Sequence, residues 1–273
     1  MVVDSIYSDY APVYDAIGQW RFSAHMADWA LRWLDSSGVS APRVLDLACG
    51  TGAAALAFAR AGCTVVGMDQ SAAMLTIAQG RARDAGYNIA FYEGDIRSLN
   101  DELRTMNDDS CSDGFDSSLI AHRSPFDLVT CFADSLNYQT ADGDLDRVFA
   151  GAAAALGAGG HLVFDLNSEA EYTTWDDRDV VTHDGRDYLV YNKLSYDPAT
   201  RLASGRIVWF VRETELWWRG EETHTQRAWS ETEVCSALWR AGLALVGRFD
   251  AGGSEIAEEV QDVTRVVYIA RKE

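Results

Sequence analysis

Apolar and polar residues recur along this chain with two different periods. Val44 to Cys49 is a short apolar run interrupted by Asp46 and closed by Gly50-Thr51-Gly52, after which alanines with Leu56 and Phe58 continue to about Arg60. Short apolar run, glycine turn and small-residue amphipathic stretch read as strand, turn, helix. The cycle repeats with strand Thr64 to Asp69, helix Ser71 to Arg83, strand Asn88 to Glu93, strand Phe126 to Phe132, helix Gly143 to Leu156 and strand His161 to Leu166. Such alternation predicts a parallel sheet with helices on both faces. Before it, residues 19 to 35 have helical apolar spacing within an aromatic-rich stretch (Tyr7, Tyr10, Tyr14, Trp20, Trp29, Trp33), which predicts an N-terminal helical cap.

Two segments depart from this rhythm. Residues 105 to 125 are rich in Asp, Ser and Asn with few apolar anchors, the pattern of a mobile surface loop. Residues 178 to 229 alternate with period two and carry many aromatic and β-branched residues, with turn signals at Asp184-Gly185, Asp197-Pro198 and Arg219-Gly220. They predict an inserted small antiparallel sheet. Ser230 with Glu233 three residues on is a capping-box pattern and starts a helix, followed by strands Leu243 to Phe249 and Val260 to Ala270. The fold class expected is therefore α/β, a doubly wound, seven-stranded, mostly parallel sheet with a C-terminal antiparallel pair. Residues 1–177 and 230–273 would form the core with its helical cap, and 178–229 the insertion, acting as a lid or a dimerisation element.

Composition narrows the partners. The net charge of −19 opposes nucleic-acid binding, which relies on Lys and Arg displacing counterions from phosphates. Cys49, Cys63, Cys111, Cys131 and Cys235 are irregularly spaced without a CxxC pair, which suits packed thiols in a reducing compartment and offers no metal motif. No basic region precedes an apolar stretch at the N-terminus and no 18 apolar residues run together, so neither a signal peptide nor a membrane span is expected, and a cytoplasmic location follows.

The glycine turn is the first candidate for chemistry, because glycine lets backbone approach a ligand and the next helix offers its positive end. Gly50-Thr51-Gly52-Ala53-Ala54-Ala55 also satisfies the G-x-G-x-x-A dinucleotide pattern, and Asp69 suits ribose hydroxyls in either class, so a nicotinamide-dependent oxidoreductase stands open at this point.

The run VLDLACGTG (44 to 52) resembles the first motif of class I S-adenosylmethionine-dependent methyltransferases, in which an acidic residue inside the strand precedes the glycine turn. VVGMDQSAAML (65 to 75) is similar to that family's ribose-binding strand end, FYEGDIRSL (91 to 99) to its adenine segment, FDLVTCFADSLNY (126 to 138) to its fourth motif and LGAGGHLVFDLN (156 to 167) to its fifth strand, with Ala158 replacing the usual proline. Ala48 likewise stands where many members have glycine. The resemblance implies S-adenosylmethionine as cofactor, with a non-catalytic S-adenosylmethionine-binding protein as the alternative to an enzyme. It places Asp46 toward the methionine ammonium, backbone from Ala48 through Cys49 and Gly50 to Gly52 against the cofactor, Asp69 and Gln70 at the ribose, and Met74, Gly94, Asp95 and Ile96 around the adenine. Strand-end carbonyls at Cys131, Phe132 and Ala133 would receive the ammonium, and Tyr14, in an opening similar to that of some small-molecule members, would close over the methionine end.

Methyl transfer by in-line displacement mainly requires the acceptor to be held close and water to be excluded. Where a base is needed, the candidates are Asp134 after the fourth strand and His224, within Glu221-Glu222-Thr223-His224-Thr225-Gln226-Arg227, a stretch similar to one in a small-molecule methyltransferase branch. Asn137, Tyr138, Tyr191 and Trp229 are the acceptor-side expectations. The acceptor expected is a small molecule offering N or O, with a homodimer contact as the other use of the aromatic insertion.

Overall fold

The computed structural model describes residues 6–36, 38, 42–99, 125–257 and 262–273. The loop expected over 105 to 125, with Cys111 and His122, lies almost wholly outside the described residues. Seven strands form the main sheet in the order β10-β11-β5-β4-β1-β2-β3. These are β1 (Arg43–Leu47), β2 (Thr64–Asp69), β3 (Ala90–Glu93), β4 (Phe126–Cys131), β5 (Leu156–Asn167), β10 (Leu243–Asp250) and β11 (Arg265–Lys272). The first five pair in parallel and β11 runs antiparallel between β5 and β10. This is the α/β architecture the alternation predicts. Two boundaries differ by five residues from the sequence expectation. β5 takes in the glycine-rich run from Leu156, because Leu156 already pairs with Phe126, and the last strand begins at Arg265.

Helices α1 (Ala11–Ala16), α2 (Arg21–Ser36), α3 (Ala53–Arg60), α4 (Ala72–Asp84), α5 (Asp144–Ala155), α6 (Glu169–Tyr172) and α7 (Glu231–Arg240) complete the core. Strand alternation sorts side chains between two layers. Leu45 and Leu47 pack with Val148 and Phe149 of α5 and Leu238 of α7, whereas Val44 packs with Leu34 of α2 and Phe58 of α3. Local signals act as read: the Ser71 hydroxyl accepts from the Met74 amide to start α4, and Ser230 with Glu233 closes a complete capping box on α7.

Residues 178 to 227 form the separate four-stranded antiparallel sheet β6 (Arg178–Asp184), β7 (Tyr188–Asp197), β8 (Leu202–Glu213) and β9 (Leu216–Arg227). Its inner face packs on the N-terminal segment: Val190 and Trp209 bury against Tyr10 and Val13, with the Trp209 and Tyr10 rings 5.0 Å apart. Gly220 lies opposite Trp209, and a Cβ there would fall 2.3 Å from the indole.

Candidate active site

β1 lies at the sheet's switch point, with β2 on one side and β4 on the other, the place where open α/β sheets bind ligands beyond their strand ends. A cavity of about 330 Å3 opens there. Its floor is the turn after β1, where Ala48, Gly50 and Gly52 take φ of 50°, 53° and 73°. Left-handed backbone costs a non-glycine residue energy, so Ala48 is a strained substitution for glycine, held because the Cys49 amide donates to Met68 O at 2.9 Å. A Cβ on Gly50 would meet nothing within 4 Å, which leaves the backbone bare toward the cavity. A Cβ on Gly52 would instead press Ala78 at 2.8 Å, so that glycine serves helix packing.

Asp69 fixes the turn from the next strand. Its Oδ2 accepts from the Gly50 amide at 2.8 Å and its Oδ1 from the Ser71 amide at 2.9 Å. Burial pushes the carboxyl above its ordinary value, while the Ser71, Gly50 and Gln70 amides pull it back. Asp95 also lines the cavity, beside Gly94 and Ile96, but Arg97 engages both its oxygens and holds it below the usual carboxylate range. An adenine amine would therefore share Asp95 with a guanidinium.

Asp46 is not brought to the cavity. It is 1% exposed, on the α3 side of the sheet, where Thr130 Oγ1 donates to its Oδ1 at 2.8 Å. Oδ2 has no hydrogen-bond partner among the described residues. Burial raises its pKa to about 7, opposed by Thr130 and by the nearby Ala55 amide in the first turn of α3. The expected row of three carboxylates is thus two at the cavity, with a third beneath the floor.

Beyond β4, Ala133 and Asp134 take φ of 59° and 51°. This second strained turn is held by Asp165, whose oxygens accept from the Ala133 and Asp134 amides at 2.7 and 2.9 Å. Arg265 bridges the Asp165 and Asp134 carboxylates at 2.5 and 2.7 Å and stacks on the Phe22 ring. Gln226 Nε2 donates to the other oxygen of Asp134 at 2.5 Å, so both oxygens of this base candidate already accept hydrogen bonds.

The cavity also collects Tyr14, Cys49, Gln70, Met74, Phe132 and Tyr138 from the expected residues, with Tyr7, Trp20 and Phe22 added from the N-terminal segment. A second cavity, about 350 Å3, lies between the strand ends and the inner face of the small sheet, lined by residues including His224, Gln226, Trp175 and Asn192. Asp134, Tyr138, Ile207 and Arg265 border both.

Four expected residues stand elsewhere. Asn137 is wholly buried, donating to Asn167 O and Arg227 O and accepting from the Asn167 amide. Trp229 packs into the main core with Arg227 stacked 4.0 Å from its ring centroid. Tyr191 pairs with Val208, one position out of phase with Ile207, and so occupies the small sheet's other face. Cys131 is buried in the main core, and burial pushes its thiol and that of Cys49 well above the ordinary value, which keeps both protonated.

Asp165, Arg265 and Glu222 were missed. Asp165, an acid within the apolar run LVFDLN, carried the same signal as Asp46 and was legible; Glu222 was legible only as a neighbour of His224, and its contact with Tyr7, like that of Arg265 with Asp165, spans 100 or more residues, which no local pattern reveals.

Residues 44–108 match the family model described as a methyltransferase domain. The fold, the order of the motifs and this match agree: the chain carries a methyltransferase domain on the Rossmann-like fold that it shares with S-adenosylmethionine-dependent methyltransferases. It is similar over 246 residues, at 28% identity, to a putative methyltransferase of Bacillus subtilis, YqeM, covering 88% of this chain and 87% of that one. Over 168 residues it is 32% identical to a dTDP-4-amino-2,3,4,6-tetradeoxy-D-glucose N,N-dimethyltransferase of Saccharopolyspora spinosa, covering 59% of this chain and 56% of that one. A crystal structure of an S-adenosylmethionine-dependent methyltransferase from Clostridium acetobutylicum shares the fold at TM-score 0.77 and 23% identity, with 98% and 99% of the two chains covered. The dinucleotide alternative left by the glycine pattern is thereby set aside. Among the described residues no helix is long and apolar enough to cross a membrane, and no group of His, Cys, Asp and Glu is arranged to hold a metal ion.

Proposed function

We propose that the chain transfers a methyl group from S-adenosylmethionine to nitrogen or oxygen of a small molecule seated in the second cavity. The bare Gly50 backbone and the Asp69 carboxylate suit a cofactor with an amino-acid end and a ribose. Asp69 takes the ribose hydroxyls with the lone pairs that the Gly50 and Ser71 amides leave free, and Ile96 and Met74 flank the adenine. Tyr14 covers the methionine end, and the small sheet acts as a lid over the acceptor.

The observation that carries this reading is the shared wall, Asp134, Tyr138, Ile207 and Arg265, across which a cofactor and an acceptor in the two cavities would meet. In the reaction the acceptor lone pair forms a bond to the methyl carbon, and the carbon–sulfur electron pair returns to sulfur, leaving the neutral thioether. The protein's part is positioning and exclusion of water. The relative that acts on an amino sugar is one pointer to polar, amine-bearing acceptors.

Calorimetry with S-adenosylhomocysteine and, separately, with NAD(H) tests the cofactor half: binding of the thioether without the dinucleotide is expected, and the reverse result rejects the reading. Methyl transfer from labelled S-adenosylmethionine to a panel of amines and hydroxyl compounds tests the acceptor half. Transfer confined to protein or nucleic acid would reject a small-molecule acceptor.

A further inference from the structure

A closed ring of hydrogen bonds stands at the junction of the two cavities. The Tyr7 and Tyr138 hydroxyls are 2.9 Å apart, Tyr138 Oη is 2.8 Å from His224 Nδ1, and His224 Nε2 is 3.2 Å from Glu222 Oε2. Glu222 closes the ring by accepting from the Tyr7 amide at 2.8 Å, and its other oxygen accepts from the Tyr10 amide at 3.2 Å. His224 is 4% exposed, and the Tyr7 ring packs edge-on against it at 4.7 Å. Tyr7 is held at φ 62°, pinned by the Glu222 bond and by Ser71 Oγ, which donates to its carbonyl at 2.8 Å. Strain of that kind is retained where the surroundings over-determine it.

The direction of every proton in the ring follows from one member. Glu222 is held below the usual carboxylate range: burial opposes ionisation, but hydrogen bonds from His224 and from the Tyr7 and Tyr10 amides outweigh it. An ionised carboxylate only accepts, so His224 Nε2 carries a proton, and a ring holding that proton alone leaves Nδ1 bare. Tyr138 then donates to Nδ1, and its oxygen accepts from the Tyr7 hydroxyl. Tyr7 Oη is left as the one oxygen of the chain that accepts nothing among the described residues, on a side chain that lines the cofactor cavity. Burial keeps both phenols well above their ordinary range, so they pass protons without accumulating as phenolates.

We propose that Tyr7, Tyr138, His224 and Glu222 form a proton relay that deprotonates the acceptor, which makes the acceptor a hydroxyl or an amine that must lose a proton for transfer to complete. This rests on the methyltransferase reading above. As the acceptor heteroatom, reaching past the shared wall into the cofactor cavity that Tyr7 lines, bonds to the methyl carbon and the sulfur takes back its electron pair, the acceptor's proton passes to Tyr7 Oη. The Tyr7 proton passes to Tyr138 Oη, and the Tyr138 proton to His224 Nδ1. The imidazolium formed sits against Glu222, and the second cavity, which His224 lines, returns the proton to solvent once the methylated product has left it. Tyr7 is the catalytic residue here; Tyr138, His224 and Glu222 are positioning residues that act through it. The other charged groups facing His224 are Asp134, Glu171, Arg178 and Arg265, which line the same cavity.

The test begins with S-adenosylhomocysteine binding to the full chain: no binding rejects the methyltransferase reading itself, before the relay is addressed. With the thioether bound, 15N-histidine NMR of the wild type and of Tyr138→Phe is expected to show His224 protonated on Nε2 and bare on Nδ1, with the Nδ1 resonance moved by the variant. A ring protonated on Nδ1 in its neutral form overturns the relay, whatever the acceptor. On an acceptor picked out by the amine and hydroxyl panel, Tyr138→Phe and His224→Asn are expected to lower kcat at pH 7 by about 100-fold or more, the low end of general-base effects. Affinity for S-adenosylhomocysteine should stay within about threefold, the deficit should shrink above the acceptor's own pKa, and imidazole should restore part of the rate to His224→Ala. A loss equal at every pH without imidazole rescue marks a structural role and overturns the proposal.

Discussion

At the scale of single residues, two buried aspartates make opposite predictions. Asp69 faces the cavity, and charge-assisted hydrogen bonds to a ligand are worth roughly 1 to 3 kcal/mol each. Asp69→Ala is expected to weaken S-adenosylhomocysteine binding by about that amount, read by calorimetry on protein with a wild-type circular dichroism spectrum. Unchanged affinity would remove Asp69 from the ribose site. Asp46 faces the interior, and its raised pKa of about 7 is a statement about stability. Between its ordinary value of 3.8 and about 7 the folded state binds a proton that the unfolded chain has released. Its contribution is therefore fully present below pH 4 and lost as pH rises through 7. Against Asp46→Asn, the wild type should lose up to about 4 kcal/mol of relative stability between pH 4 and pH 8 in urea titrations, three pKa units at about 1.36 kcal/mol each. A pH-independent difference would mean that Asp46 is ionised at ordinary cost.

At the scale of elements, what was legible was local. The period of apolar residues, the glycine turn and the Ser71 and Ser230 caps each depend on residues a few positions apart, and the strands and helices fall where those patterns put them. The placement of Asn137 was not legible, because its partners are Asn167 and Arg227, and only the folded chain brings the end of β5 and the end of β9 beside the turn after β4. The aromatic stripe of 178 to 229 gave the strands but not their facing: which of Tyr191 and Ile207 reaches the cavity is set by packing on the N-terminal segment. Asn137 thus joins the small sheet to the core. Asn137→Ala leaves a buried amide and two carbonyls without their partner, at about 1 to 3 kcal/mol for each unsatisfied group. We expect a stability loss of about 3 kcal/mol or more, and faster amide hydrogen exchange along β9 than along β1 in the same sample. Uniform acceleration across both sheets would deny Asn137 this particular role.

At the scale of the whole molecule, the acidity of the chain bears on stability. Forty-two Asp and Glu against 23 Lys and Arg leave the folded chain repelling itself, more strongly than the expanded unfolded chain does. Ion pairs act in the opposite sense, and salt weakens both. The exposed pairs, such as Arg240 with Asp146 and Lys193 with Asp179, are worth little individually, and the pair of Arg265 with Asp165 is shielded from salt by burial. Net repulsion should therefore decide the outcome. Raising NaCl from about 10 mM, where charges interact over about 30 Å, to about 1 M, where the range is about 3 Å, is expected to raise the urea midpoint with an unchanged m-value. A falling midpoint would show that attraction among surface pairs exceeds the repulsion, and that the excess of carboxylates is arranged around the arginines rather than merely spread over the surface.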